Sequence, residues 1–269
     1  MVLRIALSDT AQAIPPYAPH WEGIAKAGDF LAGLDFEAFR LLWEDSLYLD
    51  AFLTAIRIAG TATLLALLIG FPLAYAITRA PKRWQGALLV LVILPFWTSF
   101  LIRVYAWMVI LRPEGVLDRV LMGLGLASEP LRLLNTETAV LIGMVYSYLP
   151  FMVLPIYAVL EKMDRSLIEA AADLGATPLK RFLTITVPLA KPGILAGCFL
   201  VFVPGIGEFV IPDLLGGSET LMIGRVLWTE FFSNRDWPLA SAVAVSLLAF
   251  VILPMMLLRG ILARKAAAR

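Results

Sequence analysis

The chain has 269 residues, 60% hydrophobic and 16% charged, with Lys+Arg 22, Asp+Glu 21 and a formal charge of +1. Globular domains average about 45–50% apolar and about 25% charged residues, so this composition excludes a disordered chain and indicates a polytopic membrane protein. The near-zero charge gives no pull towards nucleic acid. One histidine, His20, excludes a His/Cys metal cluster, and one cysteine, Cys198, excludes an internal disulfide.

Residues 1–53 form an acidic N-terminal segment, and its opening run Val2–Leu7 is too short even for the core of a signal peptide. A membrane helix needs about 20 mostly apolar residues, and five stretches qualify. They are Ile58–Ile77, with Arg57 at its edge; Ala87–Leu111, broken only by Arg103; Ala139–Leu160; Pro192–Pro212, broken only by Glu208; and Leu239–Leu258. These define a membrane domain over 54–260, with a basic tail at 261–269. Arg79, Lys82 and Arg83 follow the first stretch, and Lys162, Arg165, Lys180, Arg181 and Lys191 follow the third. Arg259, Arg264, Lys265 and Arg269 follow the fifth. Basic loops mark the cytoplasmic side, so the C-terminus is expected inside and residues 1–53 outside. Nothing in that acidic segment would carry it across the membrane. A further helix ahead of residue 1 is therefore expected, with translocation of the free tail as the alternative.

The cytoplasmic loop 161–192 has internal order. Ser166 and Glu169 stand at capping-box spacing, Gly175 suits the left-handed residue that ends a helix, and Thr177-Pro178 suits a second helix start. Leu167, Ala171 and Leu174 share one face. The pattern alone also fits an amphipathic helix resting on lipid.

Glu169-Ala170-Ala171, Gly175 after three residues, Ile185 after nine more and then Val187-Pro188 resemble the EAA signature E-A-A-x3-G-x9-I-x-L-P of ABC importer permeases, with Val187 in place of leucine. The blocks Pro95–Trp107, Gly207–Gly217 and Met222–Trp228 resemble permeases of the spermidine/putrescine ABC importers, of the putrescine type, and the likeness covers about residues 12–260. The resemblance implies an all-α transmembrane helical bundle of the MetI-like, type I permease fold, usually with six helices where five are visible here. It implies that Glu169, Ala170, Ala171, Gly175, Ile185 and Pro188 belong to a coupling loop that docks into an ABC ATPase subunit dimer. It also implies a second permease, as a heterodimer, and an extracytoplasmic polyamine-binding protein. The chain has no G-x4-G-K-[ST] phosphate loop, so ATP and Mg are expected on the partner ATPase, with no cofactor or metal in this chain.

Ionisable groups at membrane depth are functional candidates. Glu208, sixteen residues after Pro192, is expected about 24 Å along a straight helix, and Arg103 at similar depth after Ala87. Glu208 is expected either to pair with Arg103 or Arg57 inside the membrane or, given the resemblance, to face a diammonium substrate, with Asp213 as a second carboxylate. Pro204-Gly205-Ile206-Gly207 would interrupt the fourth helix just before Glu208. Trp97, Tyr105, Trp107, Tyr146 and Tyr148 offer cation–π faces or interfacial anchors. Cys198 reads as a small packing residue. A membrane enzyme would need clustered nucleophiles or metal ligands, which the five stretches lack. A secondary transporter would need an internal repeat or paired broken helices, and the sequence suggests neither a repeat nor a second break. A polyamine permease working by alternating access is expected, with another small cation or an opine-like solute as the alternative.

Overall fold

The structure is a computed structural model. It describes residues 1–11, 14–19, 33–164 and 166–267, with side chains described except at 219 and 253–267. In chain order the helices are α1 (Val2–Ala6), α2 (Glu37–Glu44), α3 (Ser46–Arg79), α4 (Lys82–Ile93), α5 (Phe100–Leu111), α6 (Val116–Gly123) and α7 (Glu137–Glu161). There follow α8 (Ser166–Asp173), α9 (Pro178–Arg181), α10 (Val187–Ile206), α11 (Val210–Leu215), α12 (Ile223–Trp228) and α13 (Trp237–Ala267). Two short strands, β1 (Asp9–Thr10) and β2 (Tyr17–Ala18), pair antiparallel between α1 and α2.

The fold forms two compact units, residues 1–55 with 221–269 and residues 56–220. In the first, α13 carries α1 and α2 against it. Aromatic contacts tie this unit together, with Trp237 stacked on Phe231 at 4.9 Å and Phe52 edge-on to Phe250 at 6.5 Å.

The second unit holds every candidate site residue. Its core is the packing of α7 on α10 and α3, through Ala66, Phe71, Ala74, Met152, Val153, Ile156, Ala190 and Val201. Water-free packing of membrane helices depends on close backbone approach at small residues, and α10 supplies Gly193 and Gly197, one turn apart and both buried. A Cβ on Gly193 would lie 2.7 Å from the Pro155 carbonyl oxygen, whereas one on Gly197 would meet the flexible Met152 sulfur at 2.8 Å and come no nearer than 3.1 Å to the Met152 carbonyl oxygen. A carbonyl cannot move aside as a thioether can. Gly193→Ala is therefore expected to destabilise the purified protein by about 1–3 kcal/mol, and Gly197→Ala by clearly less; thermal unfolding in detergent measures both.

Among the described residues three helices are long and apolar enough to cross a membrane: Ser46–Arg79, Glu137–Glu161 and the continuous run Pro178–Ile206. The expected first and fourth stretches thus begin earlier than their apolar cores, by a turn or more of less apolar helix. The second expected stretch is not straight. Lys82–Trp97 and Phe100–Leu111 meet at 89°. Pro95 opens a short 3-10 turn, Leu94–Trp97, after which Thr98 and Ser99 are extended. The depth expected for Arg103 assumed an unbroken helix and does not hold. Of the fifth stretch, α13 has an apolar described portion at Trp237–Ile252; residues 268–269 of the tail lie outside the described residues.

Candidate functional site

The loop between α7 and α10 builds a short helix on a defined turn. α8 carries Glu169, Ala170 and Ala171, with Glu169 exposed in its first turn. The expected capping box is replaced. Ser166 is already helical, and its N–H donates to Asp164 Oδ1 at 2.9 Å, a bond that holds the Asp164 carboxyl below its ordinary range. Gly175 adopts φ +78°, and the Ala176 and Gly175 amides donate back to the Ala171 and Ala172 carbonyls at 3.0 and 2.9 Å. Thr177 then caps α9, its hydroxyl accepting from Lys180 N–H at 3.4 Å, with Pro178 at the first helical position. Ile185 lies in a π-helical stretch, Phe182–Thr186, and Pro188 opens α10.

Around the helix breaks the charged residues arrange themselves differently from expectation. Arg57 does not pair with Glu208; its Nη2 donates to Glu137 Oε2 at 2.7 Å. Glu137 sits in the first turn of α7 behind the Thr136 cap, where the helix dipole favours a carboxylate. Arg103 does not pair with Glu208 either. It is buried, its Nε has no hydrogen-bond partner among the described residues, and its guanidinium lies 5.1 Å from the Phe96 ring centre and 5.7 Å from that of Phe100.

Glu208 falls in the break between α10 and α11. Pro204 and Gly205 remain helical, and the helix ends at Ile206. Glu208 is 8% exposed, and its own chain occupies both of its oxygens. Oε1 accepts the amides of Phe209, Val210 and Ile211 at 3.1, 3.0 and 3.4 Å, and Oε2 accepts the Tyr148 hydroxyl. A buried carboxylate is tolerated when its acceptor sites are filled, and here they are filled by the start of α11 and the middle of α7. Asp213, one turn further along α11, is exposed.

The aromatic candidates divide. Trp107 and Tyr146 meet edge-to-face at 5.4 Å, while Trp97 and Tyr105 are 77% and 51% exposed. Sequence reasoning missed Phe96 and Phe151, which pack edge-on at 5.2 Å and so connect the residue under Arg103 to the helix that carries Tyr148. It also missed Glu137 as the partner of Arg57. The sequence signal was present in a helix-opening Thr-Glu at the outer end of the third stretch. Two breaks, at Thr98–Ser99 and Gly207–Phe209, occur where one was expected. Among the described residues Asp9, Asp35 and Glu37 bring carboxylate oxygens within 4.8 Å of one another; all three are exposed surface acids.

Several membrane-length helices among the described residues, with breaks beside buried charged side chains, define a multi-pass membrane protein. It belongs to the family of binding-protein-dependent transport system inner membrane components, whose profile matches residues 51–268. The chain is 44% identical over 227 residues to the spermidine/putrescine transport system permease protein PotB of Haemophilus influenzae, covering 82% of this chain and 79% of that one. It is 43% identical over 214 residues to the protein of the same name from Escherichia coli, covering 80% and 77%. Among solved structures it resembles a bacterial ABC transporter that imports the acidic polysaccharide alginate (TM-score 0.66, 21% identity, 85% and 84% covered). It also resembles the MetNI methionine ABC transporter (TM-score 0.60, 17% identity, 84% and 97% covered). These two carry the fold. The chain is a transport subunit and not an enzyme.

Proposed function

We propose that this chain is the membrane permease of an ATP-driven importer for a polyamine, putrescine or spermidine. The observation that carries this reading is 44% identity to a spermidine/putrescine permease over 82% of the chain. The partners of this reading are an ABC ATPase dimer that binds ATP and Mg, a second and different permease, and an extracytoplasmic polyamine-binding protein. The basic loops and tail support a cytoplasmic C-terminus in this reading.

The coupling element is α8 with its Gly175 turn. A short helix with fixed ends moves as a rigid body, which is what transmission of ATPase closure to α7 and α10 requires. On the substrate side, Asp213 has the charge that a protonated amine needs, and the exposed faces of Trp97 and Tyr105 suit cation–π contact. Glu208 has the charge too, but its lone pairs serve the chain's own donors. Its role in this reading is to hold α11 in place.

Uptake of labelled putrescine tests the proposal. The chain would be expressed with its neighbouring ATPase, permease and binding-protein genes in a strain deprived of its own polyamine importers. Saturable uptake that unlabelled spermidine competes and that requires ATP is expected. An assembled complex that takes up neither polyamine would overturn the substrate assignment.

A further inference from the structure

A cavity of about 380 Å³ lies where α3 ends, α4 begins and α7 ends, with Tyr75, Arg79, Lys82, Gln85, Glu161 and Ile168 among its lining residues. We propose that it binds the headgroup of an ethanolamine phospholipid. The location rests on the orientation given above, but the chemistry does not. The apolar run of α3 stops at Arg79 and that of α4 starts after Lys82, so the cavity lies at the level where hydrocarbon gives way to headgroups.

Its charges match a zwitterion. Arg79 and Lys82 line it together, and paired cations are the usual recognition chemistry for phosphate. Arg79 is pre-oriented, with Nη2 donating to the Tyr75 hydroxyl at 2.7 Å and the guanidinium 5.0 Å from that ring's centre. α4 opens at Pro81 without a side-chain cap, so its positive dipole end adds to the two cations. Glu161, at the end of α7, supplies a carboxylate for the ammonium.

Oppositely charged groups sharing a cavity normally neutralise one another. Here, among the described residues, Arg79, Lys82 and Glu161 form no ion pair; the salt bridges are Arg40–Glu44 and Arg57–Glu137. The cavity floor is fixed. Buried Gln85 donates to the Thr78 and Ala80 carbonyls at 3.2 and 2.9 Å and accepts the Tyr157 hydroxyl at 3.2 Å. A free polyamine would face two like charges, and a free phosphate would bring no cation to Glu161, whose carboxylate also faces the Tyr157 hydroxyl. Ile168 of α8 forms part of the wall, so a bound headgroup braces the coupling helix against the α3–α4 turn.

The test is lipid retention by the assembled transporter purified in mild detergent, without substrate or ATP, read by mass spectrometry. Because no transport is measured, failure here is distinguishable from failure of the polyamine assignment. The wild type is expected to retain phosphatidylethanolamine about tenfold over phosphatidylglycerol, a difference of about 1.4 kcal/mol. Arg79→Gln is expected to lose both lipids, with Arg79→Lys as the partial variant should the first not assemble. Glu161→Gln is expected to keep lipid but lose the preference. Retention of phosphatidylglycerol in preference by the wild type, an unchanged preference in Glu161→Gln, or displacement of the lipid by millimolar inorganic phosphate would each overturn the proposal.

Discussion

Gly175→Pro is expected to abolish uptake while leaving membrane insertion and the level of the protein unchanged. Two independent faults coincide at this position. Gly175 has φ +78°, and proline is locked near −65°, so the turn after α8 cannot form. Proline also lacks the N–H that Gly175 donates to the Ala172 carbonyl at 2.9 Å. A Cβ there would meet nothing within 4 Å, so the fault lies in the backbone of the turn and not in side-chain packing. The damage is therefore conformational and local, with no disturbance of the membrane core.

That separation makes a graded series informative. Gly175→Ala keeps the N–H but forces alanine into left-handed backbone, which costs about 1–2 kcal/mol, and partial uptake is expected. Gly86→Ala is the control: Gly86 lies within α4, has no left-handed φ, and has nothing within 4 Å of an added Cβ. It should transport as the wild type does. Uptake by Gly175→Pro equal to that of the wild type would remove α8 from the path between ATPase and membrane helices.

Apart from the Ser166–Glu169 capping box, whose place Asp164 takes, the features of the loop were legible in the sequence because each is local. A left-handed glycine, a Thr-Pro helix start and an E-A-A helix depend on residues within one turn of each other, and all appear where the spacing puts them. What the sequence obscured is non-local or insensitive to hydropathy. A sum over Ala87–Leu111 is the same whether the helix is straight or bent by 89°, since Thr98 and Ser99 hardly change the average. The less apolar first turns of the first and fourth membrane helices extend beyond the apolar windows and so escape a length criterion. The partner of a buried charge is a tertiary fact. Glu208, Arg103 and Arg57 looked complementary as the only ionisable groups at membrane depth, yet backbone amides and a tyrosine satisfy Glu208, Glu137 satisfies Arg57, and aromatic rings flank Arg103. Reasoning from charge alone overlooks amides, which are the commonest partners a carboxylate finds at a helix start.

The nature of those partners decides what Glu208 variants do. Charge-assisted hydrogen bonds contribute about 1.5–3 kcal/mol each, and Glu208 makes them to three amides of α11 and to Tyr148 of α7. Glu208→Ala strands all of these donors and is expected to give the larger loss of thermal stability. Glu208→Gln can still offer one oxygen to the amides and donate its NH2 to the Tyr148 hydroxyl oxygen, so the bonds persist without their charge assistance. Loss of the charge assistance, about 1–1.5 kcal/mol, corresponds to a fall of about tenfold in maximal uptake if α11 must be held for transport, with a lower melting temperature and an unchanged KM for the polyamine. Tyr148→Phe should reproduce the smaller part of that fall. A ligand of the substrate would behave differently, raising KM, and a raised KM is the expectation for Asp213→Asn, exposed on the same short helix. If Glu208→Gln instead raises KM while melting as the wild type does, the carboxylate contacts substrate and its bonds to α11 are secondary. The same pair of measurements, melting and KM, made on both carboxylates therefore assigns which of them has the structural role and which the recognition role.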